Sequence, residues 1–153
     1  MKIDDLKKPE NEISEKIGVG AYTGNESDFF TAKMYPYKLR YKIQAMRSPV
    51  PTETLLAFAS SKNMDISDEE ILEKALQDLM IEKPEIMSEW DGGFNYKLTV
   101  LEHGIDPLKH SLLTDEGKQM VITKDVFEKI ANSNPGLFDF LVAFVEDFNN
   151  QGE

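Results

Sequence analysis

The most apolar part of the chain is the segment 137–148, in which apolar side chains occur on nearly every face of a predicted helix. Its apolar residues are Leu137, Phe138, Phe140, Leu141, Val142, Phe144, Val145 and Phe148. Its polar side consists of Asp139, Glu146, Asp147, Asn149 and Asn150. A helix with so little polar surface must be buried over most of its circumference, either in the core of its own chain or against another chain.

Capping residues predict that this helix is the second of a C-terminal helical pair. Thr123 is the predicted N-cap of the first helix, which continues through Phe127 and Ile130 with helical spacing of its apolar residues. Asn134 is the predicted N-cap of the final helix, with Pro135 at its first position. Proline suits that position because its missing amide hydrogen has no partner to lose there.

Alternating apolar and polar residues predict strands elsewhere. A turn at 22–25 joins two of them. The strand predictions cover residues 17–21, 28–34, 37–45, 94–101 and 120–122. Segment 94–101 also has a helical interpretation through Leu98 and Leu101, and we favour the strand.

Two further helices are predicted between these strands. Thr52 is the predicted cap of the first, and Ser67 with Glu70 forms a capping box for the second. The predicted fold is therefore α+β: a mainly helical single domain with a small antiparallel sheet and a C-terminal helical pair. Residues 1–16 are predicted to be a mobile leader, and residues 17–150 the single globular domain.

The predicted strand 37–45 carries basic residues on its polar face, in a chain that is otherwise acidic. Lys38, Arg40 and Lys42 alternate there with apolar residues, and Lys33 and Arg47 lie close by in sequence. Such a face could dock an acidic partner or a second copy of the chain. The alternative is an exposed strand whose lysines discourage edge pairing.

Composition bounds the function. The 153 residues carry a formal net charge of −11 and no cysteine. An acidic chain is a poor nucleic-acid binder, because that affinity comes mainly from Lys and Arg. Without cysteine there is no disulfide, thiolate nucleophile or thiolate metal site. The polar beginning and the lack of a long apolar run predict no signal peptide and no membrane span, and hence a cytoplasmic protein.

Residues with catalytic or metal-binding chemistry are sparse. His103 and His110 are the only histidines, and their spacing matches no metal-binding motif. No nucleophile elbow is present, and the abundant carboxylates form pairs by chance. We therefore expect a protein that is not an enzyme and that needs no metal or cofactor.

The last third of the chain resembles tail assembly chaperones of long-tailed bacteriophages. The segments that carry the resemblance are 96–107 (YKLTVLEHGIDP), 122–127 (ITKDVF) and 134–148 (NPGLFDFLVAFVEDF). The resemblance implies a non-enzymatic cytoplasmic protein, in the host cell, that binds the helical tape-measure protein, self-associates, and leaves as the tail tube forms. A wholly helical chaperone would not need the predicted strands.

The predicted partner-binding residues are Leu137, Phe140, Leu141, Phe144 and Phe148 of the final helix, together with Arg40 and Lys42 of the basic face. Two alternatives stay open. One is an acidic inhibitor or immunity protein that binds a basic partner. The other is a minor tail or virion component, which would persist in mature particles.

Overall fold

The computed structural model describes residues 2, 3, 14–47, 50, 52–88 and 91–150. The chain forms two compact units. Unit 1 comprises Met1–Tyr37 and Lys97–Glu153, and unit 2 comprises Lys38–Tyr96. The predicted fold class is confirmed, because the elements are mainly helices with one two-stranded antiparallel sheet and a helical pair at the C-terminal end. One domain over residues 17–150 stays a prediction.

The sheet of unit 1 is a hairpin. Strand β1 (Ser14–Gly18) pairs antiparallel with β2 (Phe29–Lys33), with Ile17 opposite Phe30. A short helix, α1 (Gly20–Thr23), and a turn at Gly24 with φ of 79° connect them. The predicted strand at 28–34 is present as β2. The prediction of a strand at 17–21 is correct only for residues 17 and 18, because residues 20 and 21 belong to α1, and β1 begins inside the predicted leader.

Around the boundary at which unit 2 begins, the chain forms helical turns where the sequence predicted a strand. Residues 37–39 form a 3-10 turn, and α2 follows (Arg40–Ala45). The prediction for 37–45 is wrong because its alternating apolar residues do not share a buried face. Ile43 is buried, whereas Tyr37 and Tyr41 are 79% and 68% exposed.

The core of unit 2 lies between three helices, α3 (Thr52–Ser61), α4 (Glu69–Glu82) and α5 (Glu85–Ser88). Val50, Phe58 and Leu79 are its buried centre. The predicted capping box is wrong by one residue: Asp68 is the N-cap of α4, and its Oδ1 accepts a hydrogen bond from Glu70 N at 2.9 Å. Ser67 instead bonds to Asp65.

Residues 94–104 form helix α6 (Phe94–Gly104), not a strand. Leu98, Leu101 and Ile105 are spaced three and four residues apart and are all buried, so the helical interpretation was the correct one. Its last residue, Gly104, lies so close to α8 (Pro135–Asn150) that a Cβ there would overlap Val145.

After α6 the chain runs along β2. Ala32 and Ile105 form an isolated bridge, Asp106 N donates to Thr31 O, and Ser111 N donates to Phe29 O. The predicted strand at 120–122 is absent from the described residues. The chain there is irregular, with Val121 60% exposed and Ile122 N bonded to Pro107 O.

The C-terminal helical pair is present as predicted. Helix α7 (Lys124–Ser133) packs against α8, and Phe127 is buried. Asn134 Oδ1 accepts from Leu137 N at 3.1 Å, which confirms Asn134 as the N-cap of α8. Thr123 is the N-cap residue of α7, but its side chain makes no capping hydrogen bond.

Candidate protein-binding surface

The predicted partner-binding residues of α8 divide into two groups. Leu137, Leu141 and Phe148 are buried, at 7%, 0% and 7% exposure. Phe140 and Phe144 are half-buried. Most of the apolar circumference of α8 therefore belongs to the core of unit 1, and only two of these phenylalanines reach the surface.

Asn149, assigned by its polarity to the wet side of α8, is buried at 4% exposure. Its Oδ1 accepts from Tyr35 N at 2.8 Å, and its Nδ2 donates to Lys33 O at 3.3 Å and to Val145 O at 3.0 Å. The carboxamide thus bonds to backbone groups at the end of β2, at Lys33, and just beyond it, at Tyr35. It fixes the position of α8, and hence of its surface residues, against the hairpin.

Three aromatic side chains form a continuous row on the surface of unit 1, here called the aromatic row: Tyr22, Phe140 and Phe144. The ring centroids of Tyr22 and Phe140 are 5.3 Å apart, and those of Phe140 and Phe144 are 6.3 Å apart. Tyr22 is 39% exposed. The sequence predicts Tyr22 only as part of the turn at 22–25. The one feature that could have identified it as a surface contact is its aromatic side chain next to a glycine turn.

Acidic side chains accompany the aromatic row along α8. Asp139 and Asp147 are exposed, as is Ala143 between them. Lys97 Nζ contacts Asp139 Oδ1 at 3.1 Å. An apolar row beside carboxylates is suited to a partner that combines apolar and basic side chains.

A cleft of about 260 Å³ opens in the same unit. Its apolar wall consists of Val19, Phe30, Leu112, Leu113, Ile130 and Leu137. Leu137 therefore contributes to a cleft even though it is itself buried. Leu113 is 56% exposed, which places apolar surface at the mouth of the cleft.

The polar groups of the cleft are Thr23, Asp28 and Ser111. Ser111 Oγ donates to Asp28 Oδ1 at 3.1 Å and accepts from Phe29 N at 2.8 Å. Asp28 N in turn donates to Asn25 O at 3.0 Å. The carboxylate is consequently held in place by the hairpin connection on one side and by the loop after α6 on the other.

His110 next to Ser111 does not complete a catalytic arrangement. Its Nδ1 accepts from Leu112 N at 3.0 Å, so the proton is on Nε2, which lies 3.0 Å from Pro107 O. Both ring nitrogens are therefore used to hold the loop, and neither serves Ser111 as a base. Within the described residues, no group of three potential metal ligands occurs.

Arg40 and Lys42 lie on α2 in unit 2, with Arg40 half-buried and Lys42 exposed. They are on a helix rather than on the polar face of a strand, so the alternation that singled them out does not describe their arrangement. Their role in partner binding stays a prediction.

Comparisons with known proteins give no indication of the function. No protein-family model, curated protein or solved structure matches the chain. Among the helices of the described residues, none combines the length and apolarity that crossing a bilayer requires.

Proposed function

We propose that this chain is a non-enzymatic binding protein that holds a helical protein partner and self-associates, in the manner of a tail assembly chaperone for a tape-measure protein. The observation that carries the proposal is the aromatic row. Phe140 and Phe144 lie at the surface of a helix whose other large apolar residues are buried.

Aromatic residues at a surface suit reversible protein binding. Their rings bury a large area at a small cost in conformational entropy, and they are enriched among the residues that dominate interfaces. An amphipathic helix laid along Tyr22, Phe140 and Phe144 would cover the exposed ring edges with its apolar stripe. Basic residues beside that stripe would face Asp139 and Asp147.

Aspartate substitutions in the aromatic row test the proposal. Phe140→Asp and Phe144→Asp place a charge where an apolar stripe must pack, and each should abolish the ability of the chain to keep a tape-measure fragment soluble. Light scattering measures aggregation of the fragment and the oligomeric state of the chain. Asn150→Asp adds the same charge at an exposed position of the same helix and should behave as the unchanged protein.

Two outcomes would remove the proposal. One is full suppression of aggregation by Phe140→Asp and Phe144→Asp. The other is loss of helical circular dichroism in both variants, which would mean that the row belongs to the core rather than to a surface.

An acidic inhibitor is the second candidate, favoured by the exposed carboxylates of α4. Glu69, Glu70 and Glu73 are exposed in its first half, next to the capping carboxylate of Asp68. This candidate predicts a monomer whose binding to a basic protein weakens on charge reversal of α4, while the aspartate variants of the aromatic row have no effect. A tail component would instead persist in mature particles.

A further inference from the structure

The cleft in unit 1 has the features of a receptor for one anchoring side chain. Its volume of about 260 Å³ lies below the roughly 300–1,000 Å³ of sites that enclose a small-molecule ligand. Interfaces commonly concentrate their affinity in single large side chains that fill pockets of this kind.

The charge beside the cleft indicates which kind of residue lies next to the inserted apolar side chain in the partner. Asp28 is half-buried at the cleft, and within the described part of the chain its side-chain hydrogen bond comes from Ser111 alone. That bond uses Oδ1, which leaves Oδ2 to accept from a ligand. Glu26 is exposed nearby in sequence, and the chain as a whole carries a net charge of −11. A cationic donor therefore complements this end of the cleft.

We propose that the cleft receives an apolar side chain of a partner protein, Leu, Met or Phe, while a Lys or Arg close to it in the partner bonds to Asp28. This inference rests on the proposed protein-binding function and names the partner chemistry at a second contact, in addition to the aromatic row. The inserted side chain would contact the exposed Leu113, the half-buried Ile130 and the buried Leu137 of the cleft lining.

Blocked dipeptides test the cleft directly in the full chain. Acetyl-Phe-Lys-amide and acetyl-Phe-Gln-amide are titrated into isotopically labelled protein, and amide chemical shifts are followed by NMR. We expect saturable shifts at Phe29, Leu112 and Leu113, with the lysine peptide binding about 2- to 5-fold more tightly than the glutamine peptide at low salt, as for a partly exposed ion pair.

Substitutions separate the charge from the apolar contact. Asp28→Asn keeps the acceptor for Ser111 and should remove the preference for the lysine peptide. Glu128→Gln makes the same charge change at an exposed position of α7 and should leave the preference intact. Leu113→Ala should weaken both peptides. Because Leu113 is exposed, this variant tests the cleft without disturbing the core.

Three results would overturn the inference: no shifts at the cleft amides, equal affinity for the two peptides, or shifts that grow with protein concentration alone. The last would assign the cleft to a second copy of the chain. If the peptides do not bind but Phe140→Asp and Phe144→Asp still abolish client binding, only the inference about the cleft is wrong. If Phe140→Asp and Phe144→Asp have no effect, the proposed function is wrong, irrespective of the peptide result.

Discussion

At the scale of single residues, Asn149 connects sequence to packing most directly. A buried amide is tolerated because its oxygen and nitrogen both have backbone partners, at Tyr35, Lys33 and Val145. Removal of the side chain would leave the Tyr35 amide and the Lys33 carbonyl without these bonds. An unsatisfied buried polar group costs more than an average hydrogen bond contributes.

We therefore expect Asn149→Ala to lower the free energy of unfolding by about 1–3 kcal/mol. Urea denaturation followed by circular dichroism measures the change. Asn150→Ala is the matched control, since Asn150 is the next residue of the same helix and is exposed. Equal effects of the two substitutions would contradict the bonding role of Asn149.

Gly104 is a point of close approach between α6 and α8. An alanine there would gain up to about 1 kcal/mol of helix propensity, but its methyl group would overlap Val145, which is fully buried. We expect Gly104→Ala to destabilise the chain by about 1–3 kcal/mol, as in other overpacked cores. Thermal unfolding provides the measurement.

Gly18 provides a control for the Gly104 substitution, because there is room for a Cβ at that position. Gly18 has no atom within 4 Å of an added Cβ, so Gly18→Ala should be nearly neutral. Val145→Ala is itself destabilising because Val145 is buried, but Gly104→Ala and Val145→Ala together should cost less than the sum of the two single substitutions. Additive losses in the double variant would show that contact with Val145 is not the cause.

Some residue roles were predictable and others were not. The Asn-Pro dipeptide at 134–135 predicts the cap of α8 because both residues act through local backbone geometry. The role of Asn149 depends on a strand end more than a hundred positions away in the sequence, so its polarity alone suggested exposure. Local chemistry was predictable, and distant pairing was not.

At the scale of elements, length decided which predictions succeeded. Helices α4 and α8 extend over several turns, so their spacing distinguishes helix from strand. Segments 37–45 and 94–101 are so short that the same residues are compatible with both strand alternation and helical spacing. Burial resolves them: Leu98, Leu101 and Ile105 are buried together, and Ile43 alone is buried in α2.

The start of α4 gives a prediction that separates two neighbouring residues. Asp68→Ala removes the bond to Glu70 N and should cost about 0.5–2 kcal/mol, the usual value of an N-cap. Ser67→Ala should cost less, since Ser67 caps no helix. Urea unfolding measures the free energy of unfolding of the two variants. A larger loss for Ser67→Ala than for Asp68→Ala would support Ser67 as the N-cap.

Asp65 offers a second measurement in the same loop. The Ser67 hydroxyl and amide donate to Asp65 Oδ1, and the hydroxyl bond, followed by the amide bond, lowers the pKa of this carboxyl below its ordinary 3.8. The ionised Asp65 carboxylate therefore stabilises the fold at pH values above its ordinary pKa, and this stabilisation is lost as the pH falls through the lowered pKa. NMR titration should show the pKa of Asp65 rising in Ser67→Ala, and an unchanged pKa would contradict the assignment.

At the scale of the whole molecule, charge gives the clearest expectation. A net charge of −11 implies repulsion within the folded chain, and salt screens it. We expect the midpoint of thermal unfolding to rise by a few degrees between about 0.01 M and about 1 M NaCl at pH 7. Near the isoelectric point of 4.7 the rise should largely disappear. A rise of equal size at both pH values would exclude repulsion as its cause.

The candidate surface was predictable in outline only. The apolar excess of α8 left open whether its phenylalanines pack in the core or against another chain, and in the structure Phe140 and Phe144 are the half-buried ones. Which ones are half-buried depends on the helix's rotation, which Asn149 and Gly104 fix by tertiary contact. Tyr22 and Asp28 join the surface through the hairpin connection, and no periodic pattern identifies residues of that kind.

The division of unit 1 between the two ends of the chain has a consequence for its synthesis. Lys33 and Tyr35 leave the ribosome more than a hundred residues before Asn149, at sequence separations of 116 and 114. During that interval β2 of the nascent hairpin lacks the contacts that it makes with α8 in the complete unit. Unit 1 therefore closes only after α8 has been synthesised, and a polypeptide released before Pro135 lacks the contacts between α8 and the hairpin.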